Sequence, residues 1–259
     1  MSTVNVRVAT DVVRPRDALV SLARTASIGA LSGALSGFVV GGVLGRLGMR
    51  LLAVTSPEAR GGMTDDQAFV GEITLGGTAN LFLAVTSLGA LAGLVYLWVR
   101  RVLPTSMRGR VLGYGLFTGS VGGALFVHDH PSFDFTQLTP DWLTVSMFVV
   151  LPLLFGIATS ALTEIAERPG GLGYRLPWGV LLGGALVVCN VTLILSALFI
   201  SAAIAVSLVP TLRRAWQSRV VTVVGTVLFL MLVTWGLCGI VADIISIATD
   251  QPSKMPFNP

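Results

Sequence analysis

The only two histidines of the chain, His128 and His130, lie in the segment "FVHDHPSFDF", which also contains Asp134. In an extended segment alternate side chains point the same way, so these three residues are candidate ligands of Zn²⁺ or another divalent cation. Two histidines without a third fixed ligand are also typical of a pH-sensitive loop contact or of a solvated helix cap. The spacing favours the solvated cap, so we predict no cofactor and leave metal binding open.

Two arginines that lie one helical turn apart, Arg46 and Arg50, follow the first apolar run. They either extend to lipid headgroups or pair with acids of two loops on the same side. We define an outer-face polar cluster of Arg46, Arg50, Asp65, Asp66, Glu72, His128, Asp129, His130 and Asp134. Such a cluster would hold the two loops together or, if left partly open, bind an anion.

Glycine occupies every fourth position of "GALSGALSGFVVGGVLG", residues 29–45, at Gly29, Gly33, Gly37, Gly41 and Gly45. A later run repeats this spacing at Gly115, Gly119 and Gly123. On an α-helix these positions share one face, which lets a second backbone approach closely in lipid. The alternative is a sliding or pore-lining surface, but the recurrence of the pattern in several helices favours helix packing.

Polar residues inside the apolar runs are few: Asn80, Glu164, Asn190 and Asp243. A charge in the hydrocarbon costs about 2.5–3.5 kcal/mol, so each needs a partner or a function. We expect Glu164 and Asp243 near the inner boundary, in reach of Arg24, Arg101 or Arg168. Asn190 is the deepest, and we expect a helix–helix hydrogen bond there. Nucleotide-binding, hydrolase, zinc-protease and haem motifs do not occur, so we predict no catalytic residue.

The composition places the chain in the membrane class. Of its 259 residues 53% are hydrophobic and 12% are charged, against about 25% charged in soluble domains. No basic stripe interleaved with aromatic residues occurs, so nucleic acid is not an expected partner. The expected partners are the lipid bilayer and either another membrane protein or a second copy of the chain.

Six apolar runs are long enough to be considered as membrane crossings: 26–45, 78–99, 111–127, 142–163, 178–208 and 220–248. We therefore predict an all-α, polytopic bundle of six transmembrane helices at 26–248. A polar cytoplasmic segment at 1–25 precedes it, and a polar tail at 249–259 follows it.

The arginines and the lysine give the orientation. With both termini in the cytoplasm, 11 basic residues lie inside and 6 outside. Arg213, Arg214 and Arg219 conflict with this arrangement, because they fall outside. A hairpin around Cys189 and Asn190 would give seven segments and remove the conflict, but arms of about 15 residues are too short to span. We therefore predict that 178–208 crosses once.

The segments "GRLGMRLLAVTSPEARGGMTDDQAFVGEITLGGT" and "FDFTQLTPDWL" resemble a family of uncharacterised multi-pass membrane proteins of high-GC Gram-positive bacteria. The resemblance implies a bacterial inner-membrane location and a helical bundle, and it implies no activity. We expect a non-enzymatic structural or partner-binding component. A small-solute transporter or channel is the alternative, and a metal-dependent membrane enzyme is the third hypothesis.

Overall fold

A computed structural model describes residues 15–59, 61–62, 74–127, 138–190 and 192–249, and all regular structure in these ranges is helical. The α-helices are α1 (Pro15–Ser36), α2 (Gly45–Thr55), α3 (Leu75–Val99), α4 (Met107–Phe126), α5 (Asp141–Ala166), α6 (Leu172–Arg175), α7 (Trp178–Val188), α8 (Leu193–Leu208), α9 (Pro210–Trp216) and α10 (Arg219–Thr249). A π-helix, Gly37–Leu44, joins α1 to α2, and a short 3₁₀ turn, Pro57–Ala59, follows α2.

Four helices of the described ranges are long and apolar enough to cross a membrane: Arg16–Thr55, Leu75–Val99, Trp142–Ala166 and Arg219–Ser246. The bent pair α8–α9 raises this number to five if it is counted as one span. The prediction of an all-helical protein is therefore confirmed for the described ranges, together with the prediction of several helices that could span a membrane. Six separate spans are not found by this criterion.

The bundle has two ends, which the contacts between helices define. Gly29 of α1 meets Gly93 of α3, and Gly37 meets Val85, so α1 and α3 are antiparallel. The short connection 100–106 leads into α4, which packs antiparallel to α5. We call the end that carries residues 100–106 the arginine-rich end and the other the opposite end.

The first helix is longer than the apolar run that predicted it. Helix α1 begins at Pro15 rather than near residue 26, and the helical chain continues without interruption from Arg16 to Thr55, 40 residues. At 1.5 Å per residue this is about 60 Å, roughly twice the hydrocarbon thickness. Hydropathy predicted only its apolar part, because the polar turns at each end are helical without being apolar.

The apolar run 178–208, predicted to cross once, does not form one continuous helix. Helix α7 ends at Val188 and α8 begins at Leu193. Just before the first arm, Gly173 of α6 packs against Ile28 of α1. On the return arm, Phe199 contacts Trp98 with ring centroids 6.2 Å apart. The first arm therefore begins at the arginine-rich end and the return arm ends there. The break between the two arms lies inside the bundle.

The last helix runs from the arginine-rich end to the opposite end. Gly225 packs against Val102, whereas Gly236, further along α10, packs against Ser120 of α4. Residue 249 therefore lies at the opposite end of the bundle from residue 15. The termini themselves, residues 1–14 and 250–259, lie outside the described residues, so their predicted placement on one side stays a prediction.

With this arrangement the conflict in the arginine distribution disappears. Eleven arginines of the described ranges lie at the arginine-rich end: Arg16, Arg24, Arg100, Arg101, Arg108, Arg110, Arg168, Arg175, Arg213, Arg214 and Arg219. Only two, Arg46 and Arg50, lie towards the opposite end. The asymmetry is stronger than the sequence predicted.

Candidate functional site

Helices α3, α4 and α5 meet in a polar network at the arginine-rich end. Glu164 of α5 accepts a hydrogen bond from the Tyr96 hydroxyl, 2.7 Å away. Arg110 of α4 lies 3.1 Å from both carboxylate oxygens of Glu164. The carboxylate is thus satisfied by two other helices, although Arg24, Arg101 and Arg168 were its expected partners. The expectation chose arginines by their distance from the boundary, whereas the pairing depends on which faces of α4 and α5 meet.

A second ion pair lies one turn further along. Glu167, just past the end of α5, pairs with Arg100, just past the end of α3. The two side chains are 21% and 26% exposed, so the pair is shielded without being dry. Charge-assisted hydrogen bonds of this kind are roughly twice as strong as neutral ones. The two pairs tie the ends of three helices together.

Two buried tyrosines continue the network towards the interior. Tyr96 and Tyr114 are 0% and 1% exposed, and their ring centroids lie 4.9 Å apart. The Tyr114 hydroxyl donates to the backbone carbonyl oxygen of Ala92, 2.6 Å away. A free hydroxyl at this depth would be costly, and both are satisfied. No sequence motif had identified either tyrosine.

The glycine stripe of the first helix forms a seam with α3 over three of its five members. A Cβ built at Gly33 would overlap the carbonyl oxygen of Gly89, and one at Gly29 would lie 3.0 Å from the Gly93 carbonyl oxygen. At Gly37 the Val85 carbonyl oxygen occupies the same space. The two backbones are therefore in direct contact along this seam.

The last two glycines of the stripe differ from the first three. Gly41 still packs against α3, where a Cβ would lie 3.0 Å from the Val85 side chain, whereas the one neighbour of Gly45 within 4 Å is the Val40 carbonyl oxygen of its own helical segment. The Gly45 N–H also donates to Val40, five residues earlier, as in a π-helix. The wider π turns rotate later residues away from a four-residue stripe, so Gly42 also packs against α3, at Phe82. The single face predicted for the stripe therefore holds as far as Gly41 and is lost at Gly45.

The second set of glycines lies between α4, α5 and α10. Gly115 packs against Ile157, and Gly119 packs against Leu153 of the same helix. Gly123 lies at the junction of α5 and α10, where a Cβ would be 2.6 Å from Ile240. These contacts are mainly with side chains rather than with a facing backbone.

Most of the predicted outer-face polar cluster lies outside the described residues: Asp65, Asp66, Glu72, His128, Asp129, His130 and Asp134. Arg46 is half-buried and Arg50 is exposed, and neither forms an ion pair with a described carboxylate. The Arg46 Nε is buried without a hydrogen-bond partner in the described part of the chain. No group of three potential metal ligands occurs there either.

A hydrogen-bonded tie at the opposite end was not predicted from the sequence. The Ser56 hydroxyl, just after α2, donates to the Thr139 carbonyl oxygen at 2.9 Å and accepts from the Thr139 N–H at 2.8 Å. Leu52 and Leu138 pack beneath it. The end of the first helix is thereby fixed to the segment that begins α5.

The break between α7 and α8 places small polar groups inside the bundle. Thr192 is 7% exposed and its hydroxyl lies 3.3 Å from the Ser87 carbonyl oxygen of α3 and 3.3 Å from the Ser196 hydroxyl. Asn190, the residue expected to bond between helices, is exposed at the tip of the hairpin. Asp243 lies beyond Ile240 towards the opposite end, away from the arginines that were expected to pair with it.

Comparison with known proteins adds no relationship to this geometry. No family model, curated protein or solved structure matches the chain. The function must therefore be argued from the packing, the charges and the helix break.

Proposed function

We propose that the chain is a bacterial inner-membrane protein with five crossings and one re-entrant hairpin. The crossings are the helix from Arg16 to Thr55 and helices α3, α4, α5 and α10; the hairpin is α7 and α8. Helix α7 has 11 residues, which corresponds to about 16 Å, or about half of a hydrocarbon core of about 30 Å. By the positive-inside rule the arginine-rich end, with the start of α1, faces the cytoplasm.

Labelling of single cysteines tests this topology. In a background with Cys189→Ala and Cys238→Ala, Gln217→Cys is compared with Arg108→Cys and Arg50→Cys, using a membrane-impermeant maleimide on intact cells. We expect Gln217→Cys and Arg108→Cys to react only after the membrane is opened, and Arg50→Cys to react at once. If Gln217→Cys reacts on intact cells as Arg50→Cys does, residue 217 lies outside the cell. That result would contradict the hairpin and indicate a full crossing.

Within this topology the proposed function is that of a non-enzymatic structural or partner-binding component. The contact between Gly33 and Gly89 carries the proposal, because two backbones in direct contact leave no space for a solute between α1 and α3. The carboxylates Glu164 and Glu167 also support it, since both are engaged by arginines of neighbouring helices. These features favour a fixed bundle over a moving one.

The exposed face of α7 supports the partner-binding part of the proposal. A Cβ built at Gly179 or Gly183 would meet no atom within 4 Å, in contrast to the glycines of the α1 seam. Small residues four apart allow close approach of a second helix in lipid. This face would accept a helix of another membrane protein or of a second copy of the chain.

Two leucine variants test the function, with crosslinking in the native membrane and the yield of folded protein as readouts. Gly183→Leu should leave the fold intact and abolish a crosslinked assembly, whether it contains a second copy or another protein. Gly37→Leu should lose folded protein, because the Val85 carbonyl oxygen occupies the space of its side chain. An unchanged assembly with Gly183→Leu would contradict partner binding through α7, and a normal yield of Gly37→Leu would contradict the packed seam.

A small-solute transporter or channel is the second candidate, and the helix break at residues 189–192 favours it. Discontinuous helices near the bilayer midplane form the substrate sites of many transporters. Uptake of small solutes by proteoliposomes that contain the full chain, compared with empty liposomes, distinguishes the two candidates. If proteoliposomes with the unmodified chain take up a solute and those with Thr192→Val do not, the chain is a transporter or channel. This result would contradict the first proposal.

A further inference from the structure

We propose that α9 and the adjoining end of α3 form a binding site for the phosphate of an anionic phospholipid. The site consists of Trp98, Arg101, Arg213, Arg214 and Trp216, and nothing in the proposed function requires it. Helix α9 turns by 103° from α8. Since α8 runs along the bundle, α9 lies across its arginine-rich end, in the plane expected for the membrane surface.

The two tryptophans fix α9 against α3. The rings of Trp98 and Trp216 meet edge to face with centroids 4.9 Å apart, and the Arg101 guanidinium lies 5.1 Å from the centroid of the Trp216 ring. Tryptophan is enriched at the headgroup level of a bilayer, where one part of the ring is apolar and the other is hydrated. The contact therefore places Arg101 at headgroup depth.

The arginines of this site form no ion pair with a carboxylate of the described residues. At this end, Glu164 and Glu167 form ion pairs with Arg110 and Arg100, respectively. Arg101, half-buried, and the exposed Arg213 form no ion pair with a described residue. Arg213 lies one turn before Trp216, on the side of α9 that faces Arg101. Arg101 and Arg213 are held beside the two tryptophans, and Arg214 adds a third charge on the same short helix. Their fork-shaped donors match a phosphate in chemistry and depth.

The charge complementarity selects a lipid headgroup as the occupant. Each arginine next to a membrane-embedded helix contributes about 1 kcal/mol to the binding of anionic lipids. This corresponds to about a fivefold change in the affinity for the lipid per arginine. Leu212 of α9 is 45% exposed, so the same surface also offers contact to the acyl chain. A free anion would gain nothing from that apolar contact.

Native mass spectrometry of the full chain in detergent tests the site, with phosphatidylglycerol as the anionic probe and phosphatidylcholine as the zwitterionic one. The variant with Arg101→Gln, Arg213→Gln and Arg214→Gln should lose affinity for phosphatidylglycerol by about a hundredfold. A control with Arg108→Gln, Arg168→Gln and Arg175→Gln removes the same charge from the same end and should lose less than about tenfold, because the potential falls within a Debye length.

Three results would overturn the proposal, given that both variants elute in gel filtration as the unmodified chain does. The first is an equal loss of phosphatidylglycerol in the variant and the control, which would indicate a diffuse surface charge. The second is equal binding of phosphatidylcholine and phosphatidylglycerol. The third is displacement of the lipid by an equal concentration of inorganic phosphate, which would indicate a free-phosphate site.

Discussion

Replacement of Gly33 by alanine gives the sharpest test of the α1–α3 seam. The added methyl group would overlap the Gly89 carbonyl oxygen and would lie 2.8 Å from the Gly93 backbone nitrogen. The neighbours are backbone atoms of a long helix, so they cannot rotate away, and α1 and α3 must separate. Overpacking of this kind costs about 1–3 kcal/mol, against a gain in helix propensity of about 1 kcal/mol. We expect a net destabilisation of up to about 2 kcal/mol.

Gly183→Ala is the matched control, because the same methyl group meets no atom within 4 Å there. Only the gain in helix propensity remains, so this variant should be as stable as the unmodified chain or more stable by up to about 1 kcal/mol. The assay is unfolding in mixed micelles, followed by the helical signal as denaturing detergent is added. Equal midpoints for Gly33→Ala and Gly183→Ala would refute the backbone contact and the argument built on it.

Three further substitutions probe the ties between helices, all by the same unfolding assay. Glu164→Gln should destabilise the fold by about 1 kcal/mol, because it removes the ion pair with Arg110 at a partly solvated position; a larger loss in high salt than in low salt would contradict this cause. Ser56→Ala should cost about 1–2 kcal/mol, since it leaves the N–H and the carbonyl group of Thr139 without their partner; an unchanged midpoint would show that water replaces the hydroxyl. Thr192→Val should cost about 0.6 kcal/mol, the mean for a hydrogen bond between membrane helices, and a gain in stability would show that the hydroxyl was poorly satisfied.

Local patterns predicted the positions of most helices. The apolar runs at 78–99 and 142–163 fall within α3 and α5, because hydropathy and helix period depend only on neighbouring residues. The weak point at 178–208 was also identified, since a polar step at residues 189–190 interrupts the apolar run. The sequence left open which side the chain reaches after this step.

The partners of the polar residues could not be predicted in the same way. Glu164 pairs with Arg110 rather than with an arginine nearer the expected boundary, because helix rotation decides which faces meet. Tyr96 was overlooked since a tyrosine in an apolar run gives no signal of its own. The π-helix rotates the end of the glycine stripe out of its seam, and hydrogen-bond register is not encoded in a spacing of four.

By itself the sequence determined that the chain is helical and apolar enough for a membrane, because burial in lipid requires internally satisfied backbone groups over long apolar stretches. Only the tertiary structure decided that 178–208 turns back and that Trp216 returns to Trp98. It also decided that eleven described arginines share one end. These facts depend on contacts between residues far apart in the chain, and such contacts form only when the faces of all the helices are packed together.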